Sequence, residues 1–324
     1  MECYCLAASR RRRCERRRRR QREGRQEGLA AVTVIVNRSS GKGVGPDVAA
    51  LDDALARAGL DARIVVVRGR DVVAEAEKAA ADEIIVAAGG DGTVSAVAAV
   101  AVRIGATLGV LPLGTRNHFA RDLGLPLDVT DAASTIRRGA IRTVDVGELN
   151  GRIFVNNASL GIYARMVWER RAEERRGYGT WTAFSIALAK TWWAYRTLTV
   201  QLSLDGRPLL RRSPFVFIGN GEYQAEGIGL GARPSLETGR LSAYVAPECG
   251  RVELLAMPVR ALAGRLSPEV KFEAFTAREI TIEPSRSRIA LALDGEIVVA
   301  RPPLRCRIRP RALRVLTPAS ASPP

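Results

Sequence analysis

The chain has 324 residues, with 50 Lys+Arg against 34 Asp+Glu and a formal net charge of +16. Its single histidine, His118, excludes sites that need several imidazoles, such as a three-histidine zinc centre or an HExxH protease. No CxxC pair accompanies the five cysteines, which excludes a zinc ribbon and argues against a disulfide scaffold.

The charge is uneven. Residues 1–28 carry eleven arginines and four glutamates, a net +7, which leaves +9 on residues 29–324. A run of like charge without apolar periodicity reads as a solvated, disordered tail. It has no apolar stretch behind it and is no signal peptide. No run of eighteen apolar residues follows, so no membrane-spanning helix is expected. The expected location is cytoplasmic.

Val32–Val36 is a short β-branched run, the pattern of a strand buried on both faces. A glycine-containing loop, 37–45, comes next. Residues 47–58 then show helical spacing and stop at Gly59. Strands follow at 63–67, 84–87 and 107–111, and helices at 71–81 and 94–104. Four strands alternating with three helices predict a parallel sheet covered by helices, over residues 29–143.

Beyond residue 143 the texture changes. Runs at 153–155, 198–204, 215–218, 240–245, 279–282 and 289–293 read as strands separated by turns. They predict a mostly antiparallel second domain, a β-sandwich over 144–317. A helical insert at 164–195 interrupts it, and 318–324 form a tail. The active site is expected in the cleft between the two domains.

Three loops follow strands of the first domain. Gly89-Gly90-Asp91-Gly92-Thr93 is the most informative, because three glycines let backbone N–H groups approach a polyphosphate. Asp91 can hold a magnesium ion, and Thr93 can cap the helix or reach a phosphate oxygen. Asn37 to Gly43, with Ser39, Ser40 and Gly41, suits a second phosphate cradle. It is no P-loop, which would need glycine at Val36 and a hydroxyl residue at Gly43. It is no dinucleotide fingerprint either, since Arg68 stands where an acidic residue belongs. The third loop, 111–120, offers Gly114, Thr115 and Asn117, with His118 expected as a hydrogen-bonded structural residue. A fourth element, Asp294-Gly295-Glu296, reads by itself as a hairpin turn.

Together these residues resemble the bacterial diacylglycerol kinase-type lipid kinases, relatives of sphingosine and ceramide kinases. The resemblance spans most of 31–316. It rests on Val36-Asn37 with Ser40-Gly41, Gly89–Thr93, Leu111–Thr115 with Asn117, Phe119-Ala120, Asp145-Val146-Gly147 and Asp294-Gly295-Glu296. It implies ATP and Mg²⁺ as cofactors, with Asp91 tied to catalytic magnesium and the phosphates on Gly89, Gly90, Gly92 and Thr93. Asn37, Ser39, Ser40, Gly41 and Thr115 would line the nucleotide site. Glu296 matches the family's proton acceptor, with Asp294 beside it.

Phosphoryl transfer needs such parts: a cradle and Mg²⁺ for the triphosphate, and a carboxylate for the hydroxyl proton. Three positions depart from the pattern. His118 and Thr238 stand where some members carry carboxylates, which predicts that a second, structural magnesium is absent or weak. Val66 stands near a threonine that some members use toward the nucleotide.

The insert holds all four tryptophans and a set of basic residues, which suits either an anionic lipid interface or a packed core. The expected partners are ATP and a lipid substrate at the inner face of a membrane, with a homodimer left open and no specific nucleic acid. An NAD kinase-like enzyme and a non-catalytic nucleotide-binding regulator are the alternatives.

Overall fold

The structure is a computed structural model and describes residues 32–38, 47–79, 83–194, 197–226, 229–230, 232–248, 250, 272–285 and 287–319. The expectations for 1–28, Ser39, Ser40, Gly41 and the end of the C-terminal tail lie outside the described residues.

β1 (Val32–Asn37) pairs in parallel with β2 (Ala62–Val67) on one side and β3 (Ile84–Gly89) on the other. β4 (Thr107–Pro112) extends the sheet beside β3, again in parallel. Val34, Ile35 and Val36 are all buried, as a sheet covered on both faces demands.

The crossovers are helical. α1 (Val48–Arg57) begins where the Asp47 carboxylate accepts from the N–H groups of Ala49 and Ala50, at 3.0 and 3.1 Å. The helix expected at 71–81 is shorter: a 3₁₀ turn over Gly69–Asp71 leads into α2 (Val72–Ala76). α3 (Asp91–Ile104) starts three residues before the apolar periodicity does, so the glycine-rich loop already contains its first turn. Two helices were not foreseen, α4 (His118–Asp122) and α5 (Val129–Arg138). α4 is barely more than one turn. The buried face of α5 is Ala132, Ala133 and Ile136, a weak apolar signal.

The antiparallel part begins with β5 (Ala140–Leu149), β6 (Arg152–Phe154) and β7 (Asn157–Gly161). The helices α6 (Ile162–Arg175) and α7 (Thr180–Trp193) form the expected insert. β8 (Leu198–Leu204), β9 (Arg207–Ser213) and β10 (Phe215–Asn220) follow. A small ribbon of β11 (Ala225–Glu226) and β12 (Gly229–Leu230) precedes β13 (Leu241–Val245). The chain ends with β14 (Glu273–Ala277), β15 (Glu279–Pro284), β16 (Ile289–Leu293), β17 (Glu296–Ala300) and β18 (Leu304–Thr317).

Six of these strands form one antiparallel sheet, in the order β14-β13-β10-β7-β16-β17. The other layer is not separate from the first sheet. It continues that sheet in the order β2-β1-β3-β4-β18-β15-β8-β9, with β5 also on β18 and β6 on β5. The two layers share a core that includes Phe154, Leu160, Leu202, Ile218, Ile280, Leu291 and Leu304. Each such side chain contributes roughly 1.5–3 kcal/mol by leaving water.

β18 makes the join. Its first half pairs antiparallel with β15 and β5, while Arg314 and Val315 pair in parallel with β4. The register shifts between Arg309 and Leu313, where Arg311 has φ 50°. The Asp145 carboxylate accepts from Arg311 N–H at 2.8 Å and fixes that bulge. The boundary expected at residue 143 falls inside β5, a continuous strand.

Candidate functional site

The carboxyl ends of β1 and β3 and the loop after β4 open on one cavity of about 580 Å³. Asn37, Gly90, Asp91, Gly92, Thr93, Gly114 and Thr115 line it, so residues from all three loops meet there. Glu296, from the far end of the chain, lines it too.

The glycine turn is built by backbone packing. Gly90 precedes α3 in extended geometry, and its carbonyl accepts from Thr93 and Val94 N–H at 2.9 and 3.0 Å. Gly114 lies against it: a Cβ on Gly114 would fall 2.5 Å from Gly90 Cα and 2.7 Å from Asn117 Oδ1. No side chain fits between the two loops. Gly89 ends β3, and its carbonyl accepts from Leu113 N–H at 3.0 Å.

Thr93 is buried and does not cap its helix. Its hydroxyl accepts from Asn37 Nδ2 at 2.9 Å, tying the first loop to the second. Asn117 does not line the cavity. Its side chain accepts from Gly114 N–H at 3.0 Å and donates to the Pro112 and Gly114 carbonyls at 3.3 and 2.9 Å. It shapes the loop from a left-handed backbone, φ 52°. His118 is exposed, with no hydrogen bond among the described residues, contrary to the structural role expected of it.

Asp294 and Gly295 form a two-residue hairpin turn with φ 47° and 79°, closed by the Leu293–Glu296 pair. The Asp294 carboxylate accepts from three backbone N–H groups: Val155 at 2.8 Å, Asn156 at 2.8 Å and Asn157 at 2.9 Å. Burial pushes its pKa up, and those three amides oppose the shift. Asp294 is therefore fully engaged in holding the turn. Glu296, the next residue but one, is exposed to the cavity. A methyl group on Gly92 would stand 3.7 Å from its Oε1. Neither the Glu296 nor the Asp91 side chain has a hydrogen bond or ion pair among the described residues.

Three features escaped the sequence. Arg70, on the 3₁₀ turn, lines the 580 Å³ cavity. A second cavity of about 450 Å³ adjoins it, sharing Val73, Gly92, Ala96 and Glu296.

The third is a buried network around Arg233. Its guanidinium contacts Asp122 at 2.8 and 2.7 Å, the Val155 carbonyl at 2.6 Å, the Asn220 carbonyl at 3.1 Å and Asn156 Oδ1 at 2.8 Å. Segment 155–157 is thus gripped by Asp294 on its amide side and Arg233 on its carbonyl side. Asp122 closes α4, directly after the third loop. Tyr223 donates to the Asn156 carbonyl at 3.0 Å, and burial pushes its hydroxyl pKa up to about 12. No local signal marks Arg233 in a chain with so many arginines.

The turn around Thr238 is tied to its surroundings by the residues on either side. Glu237 pairs with Arg142, and Gly239 N–H donates to Asp145 at 2.6 Å.

The insert buries polar side chains beside small apolar ones, Ala164, Val167, Ala183 and Ala187. Glu169, Glu173 and Thr191 are buried between α6 and α7, where Lys190 reaches Glu173 at 2.6 Å. That contact holds the Glu173 carboxyl below the usual carboxylate range. Trp181 and Trp193 face outward, 84% and 75% exposed. These two tryptophans do not fill a core. No described helix is long and apolar enough to cross a membrane.

An α/β sheet whose glycine-rich loops share one cavity with a carboxylate from the antiparallel layer is an architecture suited to phosphoryl transfer. The diacylglycerol kinase catalytic domain model matches residues 31–149, and the YegS C-terminal NAD kinase beta sandwich-like domain model matches 157–317. The chain belongs to the diacylglycerol kinase-type lipid kinase family. A diacylglycerol kinase of Bacillus subtilis is 28% identical over 218 residues, 66% of this chain and 71% of its own length. A Pseudomonas aeruginosa protein named "Probable lipid kinase YegS-like" is 29% identical over 258 residues, 78% of this chain and 82% of its own. The fold is that of a Bacillus anthracis diacylglycerol kinase crystal structure, with TM-score 0.65 and 21% identity over 92% of this chain and all of the other.

Proposed function

We propose that the chain is an ATP- and Mg²⁺-dependent lipid kinase. It transfers the γ-phosphoryl group to a hydroxyl of diacylglycerol or a related lipid at the inner face of a membrane. The observation that carries this reading is the convergence of Glu296 with the Gly89–Thr93 turn on one cavity.

The residues fit the cofactors. Mg²⁺ takes one or two protein carboxylates and completes its shell with phosphate oxygens and water, so it needs no all-protein cage. Asp91 offers an unengaged carboxylate at the mouth of the phosphate turn. The bound ion would neutralise charge on the triphosphate. Arg70 adds a cation to the same lining.

Glu296 then orients the accepting hydroxyl and takes its proton as the oxygen bonds to the γ-phosphorus. The bond from that phosphorus to the β–γ bridging oxygen breaks, and ADP leaves. An exposed carboxylate is a weak base for an alcohol, so Glu296 acts mainly late and by positioning. Asp294 holds the turn from which Glu296 projects. The outward tryptophans and the basic residues of the insert suit a membrane-surface contact.

The test is labelled-phosphate transfer from ATP with Mg²⁺ to a lipid panel in mixed micelles, with NAD as a soluble control and Asp91→Asn as the blank. Label in a lipid, lost in the blank, supports the reading. Label in NAD alone replaces it with a dinucleotide kinase. ATP binding without transfer to any acceptor points to a regulator.

A further inference from the structure

Val155 and Asn156 lie between β6 and β7 and belong to neither strand. Their amides hold the Asp294 carboxylate, so where they sit decides where the turn bearing Glu296 sits. Their carbonyls are held from elsewhere in the chain. The Val155 carbonyl accepts from Arg233 Nη1 at 2.6 Å and from Asn220 Nδ2 at 3.0 Å. The Asn156 carbonyl accepts from Asn220 N–H at 2.9 Å and from the Tyr223 hydroxyl at 3.0 Å.

Of these holders, Arg233 is the one that also reaches α4. Asp122 accepts from its Nε at 2.8 Å, its Nη2 at 2.7 Å and its backbone N–H at 3.3 Å. α4 follows Asn117 directly, and the Asn117 side chain fixes Gly114, which packs against Gly90. A line of directional contacts therefore runs from the glycine turn through Asp122 and Arg233 to Asp294. Glu296 closes the ring by facing Gly92 across the cavity. A planar guanidinium donates in fixed directions, which a flexible ammonium does not. Replacing a buried ion pair by well-packed apolar residues is often neutral or stabilising, so stability does not account for charge at these two positions. Geometry does.

We propose that Arg233, oriented by Asp122, is a positioning residue for the transfer step: through segment 155–157 and the Asp294 turn it sets Glu296 at its working distance from the glycine turn. The inference rests on the kinase reading and extends it to a buried pair outside both cavities. Neither Arg233 nor Asp122 lines the 580 or the 450 Å³ cavity, so the pair acts only through the groups it holds. A reacting group displaced by about 1 Å loses up to about 10²-fold in rate. The cost of losing the pair therefore falls on kcat, while the loops that bind nucleotide keep their own contacts.

The experiment uses the full chain with ATP, Mg²⁺ and mixed micelles of diacylglycerol, phosphatidylglycerol or ceramide. It compares the wild type, Glu296→Gln, the pair variant Asp122→Leu/Arg233→Met, and all three changes together. The pair variant carries neither charge, so its urea midpoint should lie near that of the wild type. Its kcat should still fall about 10–10²-fold, with the KM for ATP within about twofold. In the Glu296→Gln background the same two changes should cost less than about threefold, because no carboxylate is left to position. General damage to the fold would cost the same in both backgrounds. Arg233→Lys keeps the charge without the fork, and with and without Glu296→Gln it gives the same readout should the pair variant fail to fold. A folded variant with wild-type kcat, an equal loss in both backgrounds, or a loss carried by the KM for ATP overturns the positioning role and leaves the kinase reading intact. No transfer by the wild type to any of the lipids overturns both.

Discussion

Replacing Arg233 with methionine is the most direct probe of what holds segment 155–157, and with it the Asp294 turn, in place. The Arg233 side chain has no exposed surface, and that of its partner Asp122 is 8% exposed. The substitution keeps an unbranched apolar stem but removes the guanidinium. Left behind are a buried carboxylate, two backbone carbonyls and Asn156 Oδ1. Stranding one partner of a buried pair costs about 3–5 kcal/mol. At about 1.4 kcal/mol per decade, that is roughly a 10²–10⁴-fold shift toward the unfolded state. Urea unfolding followed by circular dichroism measures it as a lower midpoint at constant slope. The double variant Asp122→Leu/Arg233→Met removes both charges and should recover most of the loss. A single variant that loses under about 1 kcal/mol would refute the claim that this pair secures segment 155–157.

Glu296→Gln should lower kcat about 10²–10⁴-fold while nucleotide binding and stability stay near wild type, because the side chain is exposed; stopped-time kinase assays and a thermal melt read both. Gly114→Ala should cost about 1–3 kcal/mol and raise the KM for nucleotide, since its Cβ would sit 2.5 Å from Gly90 Cα; an unchanged KM counts against the contact. Trp181→Ala with Trp193→Ala should leave the melt unchanged within about 0.5 kcal/mol but weaken sedimentation with anionic vesicles, and equal sedimentation would remove the membrane role of the insert. Glu173 has a lowered pKa in the folded chain, so its stabilising effect is present above the ordinary carboxylate value of 4.5 and fades as pH falls through the folded value. Thermal melts from neutral to acidic pH should fall less steeply in Glu173→Gln; an identical profile in both proteins would contradict this.

Much of the lining of the 580 Å³ cavity was legible because its signals are local. A β-branched run ending in glycines and an acidic residue describes a strand, a glycine-rich turn and a helix start within about ten residues. Gly89 to Thr93, Asn37 and Thr115 were readable on that basis, and the structure gathers Asn37, Thr115 and most of that turn on one cavity. Asn117 was readable as a loop residue, but whether its amide faces a ligand or its own backbone depends on the fold of the loop.

What the sequence by itself determined was the order of strands and helices, the position of the glycine-rich turn, and the change from α/β to antiparallel texture. These follow from periodicity and turn chemistry, which act over one or two elements. Only the tertiary structure decided how the two halves join, which carboxylate faces the cavity, and what holds it there. β18 alternates and bends at a bulge, so its pairing with both β4 and β15 has no local signature. Asp294 meets Val155 across 139 positions of sequence, and Arg233 meets Asp122 across 111. Contacts of that span form because packing two layers brings distant residues together, and their chemistry is set by burial, which no short stretch of sequence specifies.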